Sequence, residues 1–141
     1  MLVAMIRRAQ TEDVLQLMRI RASVRENILS DPAKVPASVV VEFIAHSGIW
    51  LWEENGAVLG FASADTRDGS IWALFVDPLA EGRGIGRALL LHALDDLRAK
   101  GWRQARLTTQ IGSRADRFYR RDGWRDGGVS QSGERIFTRD L

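Results

Sequence analysis

Residues 70–90 read SIWALFVDPLAEGRGIGRALL, and the two ends of that stretch obey different rules. Ile71 to Val76 is apolar at every position, which predicts a strand buried on both faces in the middle of a sheet. Asp77-Pro78 stops it. From Ile85 to Lys100 the apolar residues recur at helical spacing. Leu90, Ala93, Leu94 and Leu97 share one face, and Asp95, Asp96 and Arg98 lie off it. Gly101 closes the helix. Between strand and helix stand Gly82, Gly84 and Gly86. Glycine lets a backbone approach a ligand closely, and the first amides of a helix are unpaired donors backed by its dipole. That combination suits a pyrophosphate, with Arg83 and Arg87 adding positive charge. A nucleoside-triphosphate loop is excluded by the lack of Gly-Lys-Ser or Gly-Lys-Thr. The dinucleotide pattern fails as well, since its third glycine would fall on Arg87 or Leu89.

Upstream, Val3 to Arg8 reads as a first strand. Thr11 offers a helix cap, with Glu12 and Asp13 in the first turn and Val14, Leu17 and Met18 at helical spacing to about Arg21. Ser30, Asp31, Pro32 and Pro36 mark a break. Ala37 to His46 forms a second helix with Val40, Phe43 and Ile44 inward. Ile49 to Glu53, Ala57 to Thr66 and Ser70 to Asp77 then read as an antiparallel meander turning at Asn55-Gly56 and Asp68-Gly69. Downstream come a strand at Ala105 to Thr109 and a short helix capped by Ser113 and Asp116. Two terminal strands, around Asp126 to Ser130 and Arg135 to Arg139, flank Ser132-Gly133. No repeat or linker interrupts the pattern, so residues 1–141 are expected to form one mixed α/β domain.

Composition narrows the class. No apolar run approaches the roughly 20 residues that span a bilayer. Arg7 and Arg8 precede any long apolar stretch, so the start does not read as a signal peptide. There is no cysteine, hence no disulfide or thiolate chemistry, and a cytoplasmic protein is expected. His46 and His92 lack metal-ligand spacing, so no metal is expected. The net charge of +2 does not call for a nucleic-acid partner. Arg103, Arg106, Arg114, Arg117, Arg120, Arg121 and Arg125 do crowd one stretch. They are either a solvated basic face or an anion site.

The stretch Glu81-Gly82-Arg83-Gly84-Ile85-Gly86, following Phe75-Val76-Asp77-Pro78, resembles the coenzyme A loop of the GNAT superfamily of N-acetyltransferases. Ala115, Phe118-Tyr119 and Gly123-Trp124 are similar to that superfamily's second signature. Two positions depart from its pattern: Glu81 stands where Arg or Gln is usual, and Gly112 where many members carry Asn. The resemblance implies a mostly antiparallel mixed sheet flanked by helices, with a central splayed strand pair, here 71–77 and 104–110. It implies acetyl-coenzyme A between those strands. The arm would lie along Leu74, Phe75 and Val76, and the pyrophosphate on Gly82, Arg83, Gly84, Ile85, Gly86 and Arg87. Arg114 and Phe118 would be further contacts.

By the same resemblance Tyr119 would protonate the departing thiolate. A phenol of ordinary pKa, about 10, stays protonated at neutral pH and can donate to a thiolate whose acid has a pKa of about 8.5. A lysine-like amine is neutral in only roughly one molecule in 10³ at pH 7, so a base or water relay would help. Glu26 is the first candidate, as base or as anchor for the ammonium, with Asn27 beside it and Trp72 as a wall of the acceptor pocket. Glu134 is a second candidate base. The acceptor is expected to be a small-molecule or peptide amine, with no nucleic acid or membrane partner, and the fold admits a homodimer. Two alternatives stay open: a non-catalytic acyl-coenzyme A sensor, and a basic nucleic-acid-binding module.

Overall fold

The computed structural model describes residues 3–24 and 36–141. Strands β1 (Ala4–Arg8), β2 (Trp50–Glu54), β3 (Ala57–Asp65), β4 (Ser70–Val76), β5 (Gln104–Thr109), β6 (Arg125–Val129) and β7 (Arg135–Asp140) form one sheet in the order β1-β2-β3-β4-β5-β7-β6. Every neighbouring pair is antiparallel except β4 and β5. Helices α1 (Val14–Ser23) and α2 (Ala37–Ala45) cover one face of the first four strands. Helix α3 (Ile85–Ala99) packs on the other face, and α4 (Arg114–Arg121) joins it over β5 and β7. None of the described helices is long and apolar enough to cross a membrane.

The elements follow from their residues. Leu90, Ala93, Leu94 and Leu97 are all buried, together with Ile85 and Leu89. Each such leucine or isoleucine contributes about 1.5–3 kcal/mol when removed from water. The helix can lie that close because Gly60 of β3 has no side chain. A Cβ there would meet the Phe75 carbonyl oxygen at 3.0 Å, Leu89 Cδ1 at 3.2 Å and Ile85 Cγ2 at 3.3 Å. Gly60 therefore fixes the height of the first turn of α3 above the sheet, which matters for the site.

Some expectations need correction. The first helix is not capped by Thr11: a 3-10 turn over Thr11–Asp13 precedes α1, and the Asp13 carboxylate accepts from the Gln10 amide at 2.7 Å. Asp13 is held there by Arg7, whose guanidinium keeps the carboxyl below the usual range despite burial. Asn55-Gly56 closes a two-residue hairpin, both residues having positive φ (51° and 82°). Asp68-Gly69 does not. There β3 and β4 are joined by four residues, with the Gly69 amide donating to the Asp65 carbonyl at 3.0 Å. The Asp68 side chain competes for the turn by accepting from the Ser70 amide and hydroxyl. Finally, β4 is central but only partly buried: Leu74, Phe75 and Val76 are half-exposed. The reason is the strand beside it.

Candidate functional site

Strands β4 and β5 meet through one residue pair, Ser70 with Arg106, supported by a hydrogen bond from the Arg106 amide to the Gly69 carbonyl at 3.1 Å. Beyond it they diverge. The cleft so opened is a cavity of about 250 Å³, most of whose wall comes from three places. Leu74, Phe75 and Val76 end β4; Glu81, Gly82, Gly84, Ile85, Gly86 and Arg87 form the turn into α3; Arg114, Ala115, Phe118, Tyr119 and Arg121 lie on α4.

Each wall presents a different chemistry. The Asp77 amide donates to the Leu59 carbonyl at 2.8 Å, so alternate residues of β4 face β3 from there back to the irregularity at Trp72. Phe75 is one of these, and its carbonyl oxygen lies against Gly60. By alternation the backbone groups of Leu74 and Val76 face the cleft, where no ladder partner meets them among the described residues. Of the three residues expected along the arm, Leu74 and Val76 turn their backbone groups to the cleft and Phe75 turns its own to β3.

At the start of α3, Gly84 sits in the left-handed region at φ 82°, and the Ala88 amide makes the first helical bond, to the Gly84 carbonyl at 3.1 Å. The amides of Gly84, Ile85, Gly86 and Arg87 donate to no carbonyl or side chain among the described residues. Four donors converging at the positive end of a 15-residue helix form an anion cradle. A Cβ on Gly82 or Gly84 would meet only open space. This donor set and opening fit a pyrophosphate.

On α4, the Ser113 hydroxyl caps the helix by accepting from the Asp116 amide at 3.1 Å. The buried Asp116 carboxylate holds the helix to β7. Burial alone would raise its pKa, but the Gly112 amide and the Arg135 and Arg120 guanidiniums outweigh it and hold it below the usual range. So anchored, α4 presents Tyr119, which is 6% exposed and packed edge-on to Phe118 and Trp124. Its hydroxyl has no hydrogen-bond partner among the described residues. Burial pushes its pKa up, and the Asp122 carboxylate adds to that.

Most of the residues singled out from sequence are thus brought around one cavity, and three are not. Arg83 turns away to pair with Glu54, with contacts of 2.6 and 3.1 Å. Trp72 lies outside the lining and stacks on Phe43 of α2, ring centroids 3.9 Å apart. Glu134 stays in the β6–β7 hairpin, accepting from Ser132. Glu26 and Asn27 lie outside the described residues. Two of the expected cations are already engaged: Arg87 with Asp122 at 3.4 Å, and Arg114 with Glu81 across the cavity rim. Sequence reasoning missed Val24 and Ala80, which also line the cavity. Neither carries a chemical signal, because both contribute only shape.

Comparison with known proteins agrees with this geometry. Among solved structures, the PaiA N-acetyltransferase of Thermoplasma acidophilum, in complex with coenzyme A, has the same fold: TM-score 0.84, 18% identity, 99% of each chain covered. A mycothiol acetyltransferase of Beutenbergia cavernae is 38% identical over 82 residues, covering 54% of this chain and 28% of its own length. The peptidyl-lysine N-acetyltransferase YiaC of Escherichia coli is 44% identical over 50 residues, 36% of this chain and 34% of its own length. The chain thus matches only about a third or less of these curated relatives. The family model described as Acetyltransferase (GNAT) family matches residues 13–124, from the turn before α1 through the cleft to Trp124 beyond α4, and the chain belongs to that family.

Proposed function

We propose that this chain transfers an acetyl group from acetyl-coenzyme A to an amine. The observation that carries the proposal is the cleft itself: an unpaired strand edge, four free helix amides and a buried, un-ionised tyrosine hydroxyl line one cavity. Family membership supports it. In this reading the amides of Gly84 to Arg87 hold the pyrophosphate, and the Leu74 and Val76 backbone receives the pantetheine arm as a further strand would be received. Acetyl-coenzyme A supplies an activated acyl group on a thiol leaving group. The acceptor nitrogen bonds to the acyl carbon as the carbon–sulfur bond breaks. Tyr119 gives its proton to the sulfur, a base or water relay takes one from the amine, and solvent returns the tyrosine to its starting state.

The first test is binding. Acetyl-coenzyme A raises the melting temperature by the linkage RT ln(1 + [L]/Kd), which amounts to about 2.7 kcal/mol at 100 times Kd. Thiol release over a panel of amines then separates transfer from an idle sensor. A melting curve unmoved by millimolar acetyl-coenzyme A would sink the reading.

Glu81 offers a second check. Its carboxylate belongs to the cavity wall and pairs with Arg114, so a cofactor phosphate would bring more negative charge to the same rim. Glu81→Gln removes a repulsion on the order of 1 kcal/mol at this partly screened range, so coenzyme A should bind about fivefold more tightly by calorimetry. Unchanged or weaker binding would mean that the phosphates do not pass Glu81.

A further inference from the structure

Four arginines are half-buried among the described residues: Arg7, Arg21, Arg135 and Arg139. Three hold a carboxylate: Arg7 with Asp13 at 2.9 Å, Arg135 with Asp116 at 3.0 Å, and Arg139 with Asp122 at 3.0 Å. Arg21 holds none. Its guanidinium stands over the ring of Phe75, 5.6 Å from the centroid, and makes no hydrogen bond or ion pair among the described residues. Two residues earlier on α1, the more exposed Arg19 reaches Asp77 at 3.8 Å. Arg21 is in the last turn of α1, where the helix dipole welcomes a cation. That attraction would be satisfied equally by a solvated side chain, and it does not explain a half-buried guanidinium over an aromatic ring. Burial draws its pKa down, and no acid among the described residues offsets the lost hydration.

Its location gives the unmatched charge a use. Phe75 lines the cavity, and so does Val24, three residues beyond Arg21 at the end of α1. Leu74 and Val76 pack with the α3 cluster, whereas Phe75 packs with the α1–α2 cluster. Arg21 itself is outside the cavity wall, over Phe75 on the face of the sheet opposite the four free amides of α3. A ligand held by those amides has its phosphates on the far side, and whatever meets Arg21 enters from the near side.

Resting on the acetyl-transfer reading, we propose that Arg21 recognises the acceptor through a carboxylate, so that the substrates are amines that also bear an acid group, such as amino acids. The planar fork of a guanidinium matches a carboxylate bidentately, and the nearby aromatic ring favours the cation's position.

The test uses the L-amino acids and their carboxamides as acceptors, with thiol release from acetyl-coenzyme A as the readout. Wild-type protein should take at least one amino acid with kcat/KM at least 10-fold above that of its carboxamide. Arg21→Met should bring that ratio to within about twofold of one, chiefly through KM, and should still melt higher with acetyl-coenzyme A. Arg21→Lys, which keeps the charge without the fork, should retain part of the preference. An undiminished ratio in Arg21→Met, or release with carboxylate-free amines alone, overturns the proposal. Loss of the cofactor-induced melting rise in a folded Arg21→Met also overturns it, assigning Arg21 to a cofactor phosphate. If no acid or amide is acetylated while acetyl-coenzyme A still raises the wild-type melting temperature, acceptor recognition by Arg21 falls and cofactor binding stands. No rise in the wild type removes both.

Discussion

Tyr119→Phe lowers the turnover of acetyl transfer about 10²-fold or more and leaves the affinity for acetyl-coenzyme A within a factor of two. Only one oxygen is removed, and the ring contacts with Phe118, Trp124 and Phe137 remain. The loss falls on the step that uses the proton, corresponding to about 2.7 kcal/mol of barrier. Because burial raises the folded-state pKa, the hydroxyl is still protonated where free tyrosine begins to ionise. The sign for stability follows. A pKa higher in the folded than in the unfolded chain gives stability that is complete below about pH 10 and is lost as pH rises further. Tyr119→Phe should therefore slow transfer at neutral pH and make unfolding less sensitive to alkali. Unchanged turnover would leave Tyr119 as packing and hand the proton to water.

Gly86→Leu abolishes both the melting rise with millimolar acetyl-coenzyme A and detectable transfer. Gly86 lies inside regular helix, so a leucine there carries no backbone strain and improves helix propensity by up to about 1 kcal/mol. Its Cβ would touch Val76 Cγ2 at 3.4 Å, an ordinary contact. The rest of the side chain has to lie between the first turn of α3 and the end of β4, where the free amides meet the strand edge. Gly84 is the less informative choice, since at φ 82° any side chain adds strain of roughly 1–2 kcal/mol to the loss of binding. A folded Gly86→Leu variant that still responds to acetyl-coenzyme A would show that the ligand does not use this turn.

The residues that spoke clearly in the sequence were those whose spacing has one physical solution. Leu90, Ala93, Leu94 and Leu97 admit only a helix with one buried face, and all four are buried. Ser113 and Asp116 read as a capping box, of which the Ser113 half is made while the Asp116 carboxylate accepts one residue earlier, from the Gly112 amide. Ile71 to Val76 gave a central strand correctly but hid its exposure, because an apolar residue beside a cleft looks the same in sequence as one beside a core. Charged side chains were least legible. Arg83 and Arg87 both suit a phosphate by position, yet one is drawn to Glu54 on β2 and the other to Asp122 after α4. Those acids lie 29 and 35 residues away along the chain, so only folding decides which cation they hold. Arg21 was silent for the opposite reason: it becomes conspicuous only once the other half-buried arginines are seen to be paired.

An open sheet has two edges, and this one has four. The single rung between Ser70 and Arg106 leaves the inner borders of β4 and β5 as unzipped as the outer borders of β1 and β6. Outer borders can be defended by charge, as β6 is by Arg125 and Asp126. The β4 border cannot, because Leu74 to Val76 must remain apolar to shape the cavity. The molecule thus carries a seam in its own middle with the bonding capacity of an exposed strand edge. Whatever ligand lies along that seam acts also as a splint, completing the hydrogen-bond ladder that the chain leaves unfinished.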